Sequence, residues 1–209
     1  MGIDNLWTFL VAALLFTMTP GLDTIFILNK SLSQGKQAGF YATLGINTGV
    51  LVHTLFAALG LSVLVAQSAV AFSVVKYAGA AYLVYLGVAK LLRPQPLLEA
   101  ADPGQVPRSG AQDFFSGVVT NVLNPKVALF FLAFFPQFIQ PQALTSPWPF
   151  LQLGGLYAAV GLGWFSILTL FASYFSARVV NSPHASRWLN RLSGVAFLAM
   201  GLKLALTKR

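Results

Sequence analysis

Residues 17–23 read Thr17-Met18-Thr19-Pro20-Gly21-Leu22-Asp23, and the rest of the chain is read outward from this stretch. It lies inside an apolar run at about 6–28 that is otherwise suited to a helix. Proline in a helix interior removes one hydrogen bond and costs about 3 kcal/mol or more. In lipid the carbonyl so freed must find a partner within protein or in a wet cavity. Asp23 is the only acid placed within any apolar run, and an aspartate at the bilayer centre costs about 2.5–3.5 kcal/mol even on a mild insertion scale. A simple kink accounts for Pro20, and capping of a new helix start after Gly21 accounts for Asp23. A carboxyl taken out of water also gains from carrying a proton, which suits a proton carrier. The capping and carrier roles are compatible.

The surrounding composition sets the class. The chain has 209 residues, 56% apolar and 9% charged, with a mean hydropathy of +0.73. Soluble domains carry about 25% charged residues, so a soluble enzyme, a disordered tail and a coiled coil are poor readings. Apolar stretches at about 6–28, 40–66, 72–92, 114–136, 150–176 and 189–207 each have roughly the 20 residues that a bilayer-crossing helix needs. The expected fold is an all-α integral membrane protein of about six transmembrane helices. The amino terminus has no basic leader before Asp4, so the first span reads as retained and not as a cleaved signal.

With no cysteine there is no disulfide framework, thiolate metal site or cysteine nucleophile. Only His53 and His184 could ligate a soft metal, so no metal site is expected. No serine–histidine–acid set, phosphate-binding glycine loop or nucleotide motif is present, so neither enzyme nor cofactor is expected. The net charge of +8 falls in short loops between apolar runs, where it marks topology and not a nucleic-acid face. Placing the 29–39 loop in the cytoplasm puts Lys30, Lys36, Lys90, Arg93, Arg108, Arg178, Arg187 and Arg191 inside. Lys76, Lys203, Lys208 and Arg209 then lie outside, and both termini face out. Trp7, Trp148 and Trp188 fall at span edges, as interface anchors do.

The chain also repeats itself. Thr19-Pro20-Gly21 in the first span is answered by Asn124-Pro125-Lys126 in the fourth. Lys76-Tyr77-Ala78-Gly79 in the third is answered by Arg191-Leu192-Ser193-Gly194 in the sixth. The prolines are 105 residues apart and the glycines 115, as a duplicated unit with a small insertion gives. The expected units are 1–92 and 114–209, joined by a cytoplasmic linker at 93–113 rich in charge and proline. Three spans per unit is an odd number, so the two repeats would be inverted. Broken helices one and four then point to a transporter binding site, with breaks at Pro20, Gly21 and Pro125.

Lys126 lies too centrally in its span to reach the interface comfortably. An amine there can hold a carboxylate or pair with Asp23. Gly117, Thr120, Asn121 and Asn124 form a polar stripe at helical spacing, which serves either a ligand or helix–helix association. Asn121, Asn124, Thr19 and Thr17 are the neutral hydrogen-bonding candidates. His53 reads as a relay or as a hydrogen-bonded packing residue, and Trp164 as core or cavity.

At these residues the chain resembles the LysE/RhtB family of bacterial amino-acid exporters. Thr19-Pro20-Gly21-Leu22 matches the family's Ser/Thr-Pro-Gly-Pro, with Leu22 in place of the second proline, so a milder break is expected here. Asn124-Pro125-Lys126 and Phe135-Pro136-Gln137-Phe138 match its fourth span, and Gly79-Ala80-Ala81-Tyr82-Leu83 its third. The resemblance implies an inner-membrane protein that exports amino acids in exchange for protons. A zwitterion asks for two opposite partners: Lys126 and the amides of a broken helix for its carboxylate, and Asp23 for its ammonium or for the coupling proton. One buried acid favours neutral substrates such as leucine-like residues, threonine or homoserine derivatives over cationic ones. The expected partners are therefore the amino acid, protons and the bilayer, while glycine-rich faces fit contacts within one chain and a homo-oligomer equally well. An inorganic-ion exporter or channel is the alternative, although one acid is thin provision for a divalent cation.

Overall fold

The computed structural model describes residues 2–61, 68–92, 109–172 and 183–206, and there each of the six apolar stretches is mainly helical, the first and fourth being interrupted. The first stretch is two helices, α1 (Leu6–Met18) and α2 (Leu22–Ser33). Pro20 disfavours helical backbone at the residue before it, and Thr19 is indeed extended (φ −64°, ψ 117°). The two axes differ by 54°. Helix α3 (Lys36–Phe56) ends in a π turn at Ala57–Leu61, and α4 spans Ala69–Leu92.

The second break resembles the first. Helix α5 (Gly110–Val122) opens with a reciprocal capping box between Ser109 and Gln112. Leu123 and Asn124 leave the helix, and α6 (Pro125–Leu129) restarts with Pro125 at its first position, where the missing N–H is harmless. A π turn at Phe130–Phe134 and a 3-10 turn at Phe135–Phe138 complete this arm, which is bent by 50° from α5. Helices α7 (Trp148–Leu170) and α8 (Pro183–Leu206) follow. Among the described residues, Lys36–Gly60, Ser73–Leu92 and Trp148–Leu170 are each long and apolar enough to cross a bilayer. The two bent pairs bring the number to five if each is one span.

Glycine lets the helices approach closely. Gly45 of α3 lies against Gly117 and the Phe114 carbonyl of α5, and Gly49 makes room for the Asn121 side chain four residues further along both helices. The α3 and α5 axes therefore run parallel. Helices α4 and α8 meet at Gly87 with Gly194 and at Ala80 with Gly201, which makes them antiparallel. Helices α3 and α7 are antiparallel too, through Thr54 with Gly154 and Thr43 with Thr169, whose hydroxyls are 3.2 Å apart.

An aromatic core fills the space beside the breaks. Phe9, Phe16, Phe130, Phe131, Phe135 and Tyr157 are buried there, with Phe131 and Phe135 stacked at 4.2 Å. Outward faces of α1, α3 and α4 carry Val11, Leu15, Phe56, Val74 and Tyr85, a surface suited to lipid, and Trp7, Trp148 and Trp188 are exposed as interface anchors require. Ile3 forms an antiparallel bridge with Ile139, so the amino terminus and the loop after α6 share one side.

The proposed linker at 93–113 lies largely outside the described residues, but its last four residues belong to α5, and Asp113 is buried. A residue read as wetted is therefore a second interior acid.

Candidate functional site

The two breaks meet and satisfy each other's loose ends. Breaking α1 at Pro20 leaves carbonyls without helical donors. Lys126 Nζ donates to the Phe16 oxygen at 3.1 Å and to the Thr19 oxygen at 3.0 Å. A cation at a helix C-terminus also meets the negative end of the helix dipole. The ammonium lies 4.5 Å from the Phe16 ring centroid and 5.6 Å from that of Phe197 on α8, within cation–π range. The Lys126 side chain passes against Gly21, where a Cβ would be in ordinary contact at 3.4 Å from Nζ.

Asp23 sits in the first turn of α2, where the helix dipole favours an acid. It is held from the other arm: Asn121 Nδ2 donates to Oδ2 at 2.9 Å, and Asn124 Nδ2 donates to Oδ1 at 3.1 Å. Asn124 uses its other end as well, because its Oδ1 accepts from the Lys126 backbone N–H and caps α6. The Asn121 main-chain oxygen lies 3.2 Å from His53 Nε2, and the imidazole stacks on Phe131. Hydrogen bonds to a charged partner are worth about 1.5–3 kcal/mol each, so Asp23 is a costly residue made affordable by two amides and a nearby amine. The arrangement presents an acid, an amine and two amides at the point where two helices are interrupted.

A family model for LysE type translocators matches residues 14–208, which include every residue just named. The chain belongs to this family. It is 33% identical over its full length to the whole of an uncharacterized membrane protein of Vibrio cholerae. It is 29% identical to the uncharacterized membrane protein YrhP of Bacillus subtilis, across 98% of this chain and all of that one. It is 30% identical to a leucine efflux protein of Salmonella typhimurium, across 98% of this chain and 96% of that one. No solved structure matches it. The chain is thus a multi-pass translocator of the bacterial cytoplasmic membrane, of an amino-acid exporter family.

In this translocator the breaks bring together Asp23, Asn121, Asn124, Lys126 and the Thr19 carbonyl. The Thr19 hydroxyl is turned back onto the Leu15 oxygen. Thr17 is buried, with its hydroxyl beside that of Tyr157. No ion pair joins Lys126 to Asp23; the amine serves the end of α1 instead. Sequence reasoning missed Phe197 and Tyr157, because an aromatic residue in an apolar span carries no mark of which way it faces. It also missed the buried pair Lys30 and Asp113, which lie 2.6 Å apart and which the loop reading had placed in water.

Proposed function

We propose that this translocator exports neutral amino acids, leucine-like ones foremost, in exchange for protons by alternating access about the paired breaks. The observation that carries this reading is the Asp23 carboxylate held between Asn121 and Asn124 at the crossing of two interrupted helices. With the substrate present, Asp23 receives its ammonium. Lys126 has three N–H donors, two of them given to Phe16 and Thr19, and the third goes to the substrate carboxylate. Thr17 and the amides of Asn121 and Asn124 complete the polar contacts. At the outer face the amino acid leaves and a proton takes its place on Asp23; at the inner face the proton leaves and the next ammonium enters. One proton moves inward as one amino acid moves outward.

The antiparallel pairing of α1–α2 with α5–α6, α3 with α7 and α4 with α8 supports reading 1–92 and 114–209 as inverted halves that rock against each other. The leucine efflux relative supports a neutral aliphatic substrate.

The test is efflux from cells loaded with dipeptides, whose hydrolysis raises many free amino acids together. Wild type should release one or a few of them faster than vector alone, and an uncoupler should stop it. Asp23→Asn should reach the membrane in equal amount and lose proton-coupled efflux. Full coupled transport by that variant removes Asp23 from the mechanism. Ion flux without amino-acid flux would favour the ion-exporter alternative.

A further inference from the structure

Lys30 and Asp113 form an ion pair of 2.6 Å inside the protein, with side chains 7% and 1% exposed. Lys30 is in the last turn of α2 and Asp113 in the first turn of α5, so the pair joins the same two helices that meet at Asp23 and Asn121. Along α2, Lys30 lies seven residues beyond Asp23, two turns on the same face and about 10 Å away. Along α5, Asp113 lies eight residues before Asn121, about 12 Å away. One seam thus carries two polar stations.

The pair is incompletely satisfied. A buried ion pair is favourable only when further hydrogen bonds take up its remaining lone pairs and protons. Asp113 Oδ2 is buried with no hydrogen-bond partner, and apart from their ion pair and the Phe26 ring, 6.0 Å from Lys30 Nζ, neither Asp113 Oδ1 nor Lys30 Nζ has a further polar contact. Leaving a buried acceptor unpaired costs about 1–3 kcal/mol, and more when it is charged. The pairing that would satisfy both groups is a molecule carrying an ammonium and a carboxylate side by side.

We propose that Lys30 and Asp113 form an entry site for the amino-acid zwitterion, occupied before it reaches Asp23. This rests on the exporter reading. The incoming carboxylate pairs with Lys30 and the ammonium with Asp113, so one ion pair is exchanged for two and Oδ2 gains donors. The distribution of Lys and Arg puts this end of α2 toward the cytoplasm, the side from which an exporter must load. Because the pair is buried, entry parts α2 from α5 at this end while Asn121 and Asn124 hold them together at Asp23.

The test uses sided membrane vesicles and leucine, or whichever amino acid the wild type moves. In Lys30→Met with Asp113→Leu, apolar side chains replace the pair, a change that is often neutral for stability. The cytoplasmic half-saturation concentration should rise at least about tenfold, a loss of about 1.4 kcal/mol. Half-saturation from the opposite face should stay within about twofold, and Lys30→Arg should keep near-normal values. If the apolar pair does not fold, the neutral pair Lys30→Gln with Asp113→Asn gives the same reading. Unchanged cytoplasmic half-saturation, or an equal loss from both faces, overturns the entry site and leaves the pair a structural tie. Absence of saturable amino-acid flux in wild type overturns the exporter reading, and the entry site with it.

Discussion

Lys126 supplies the donors that the interrupted α1 lacks, and its position explains why an amine is tolerated mid-membrane. Two of its N–H groups reach carbonyls that no helical amide can serve, and two aromatic rings face its charge. Structural and substrate roles can be separated at this one residue. Lys126→Met should lower unfolding stability by about 1–3 kcal/mol for each carbonyl left without a donor, read as thermal unfolding of purified protein in detergent. If the third N–H also holds the substrate carboxylate, the same variant should lose amino acids with a free carboxylate far more than their esters. Equal loss on both would make Lys126 a helix cap alone. The Pro-Gly and Asn-Pro-Lys breaks and the isolated acid were legible at this scale, since each is expensive in lipid. Which atom meets which was not legible, because nothing in the sequence says that the Lys126 amine reaches the Phe16 and Thr19 carbonyls and makes no ion pair with Asp23.

At the scale of elements, the two bends and the glycine crossings decide where the polar groups meet. Gly45 and Gly117 bring α3 and α5 nearly into backbone contact, with a Cβ on Gly45 only 3.0 Å from the Gly117 Cα. Gly49 leaves the space that Asn121 fills. Gly45→Leu should force α3 away from α5 at a cost of about 1–3 kcal/mol or more and draw Asn121 off Asp23. Reduced thermal stability together with lost efflux is the expected result; unchanged efflux would show that the crossing does not position the site. The π turn at Phe130–Phe134 had no sequence signal, because a run of apolar residues fits an α-helix equally well.

For the whole molecule, the contacts show which helix ends lie together, and the distribution of Lys and Arg leads to the expectation that the 29–39 loop faces the cytoplasm. Ile3 pairs with Ile139 at one end of the α1–α2 arm and Lys30 with Asp113 at the other. The chain has no cysteine, so introduced thiols report position cleanly. A membrane-impermeant maleimide added to intact cells should label Thr145→Cys and spare Lys36→Cys, both exposed positions. The reverse pattern would invert the orientation and place Lys30 and Asp113 at the exit side.

The sequence by itself determined the membrane class, the six helical stretches, both interruptions and the family, because burying apolar helices in lipid and breaking them with proline are local energetic facts. Only the tertiary structure decided the partners. Asp23 chose the amides of Asn121 and Asn124, Lys126 the end of α1, and Asp113 the ammonium of Lys30. A charged group inside a membrane protein must be satisfied by whatever the fold brings within hydrogen-bonding reach, and residues about a hundred positions apart come within that reach only when the helices cross.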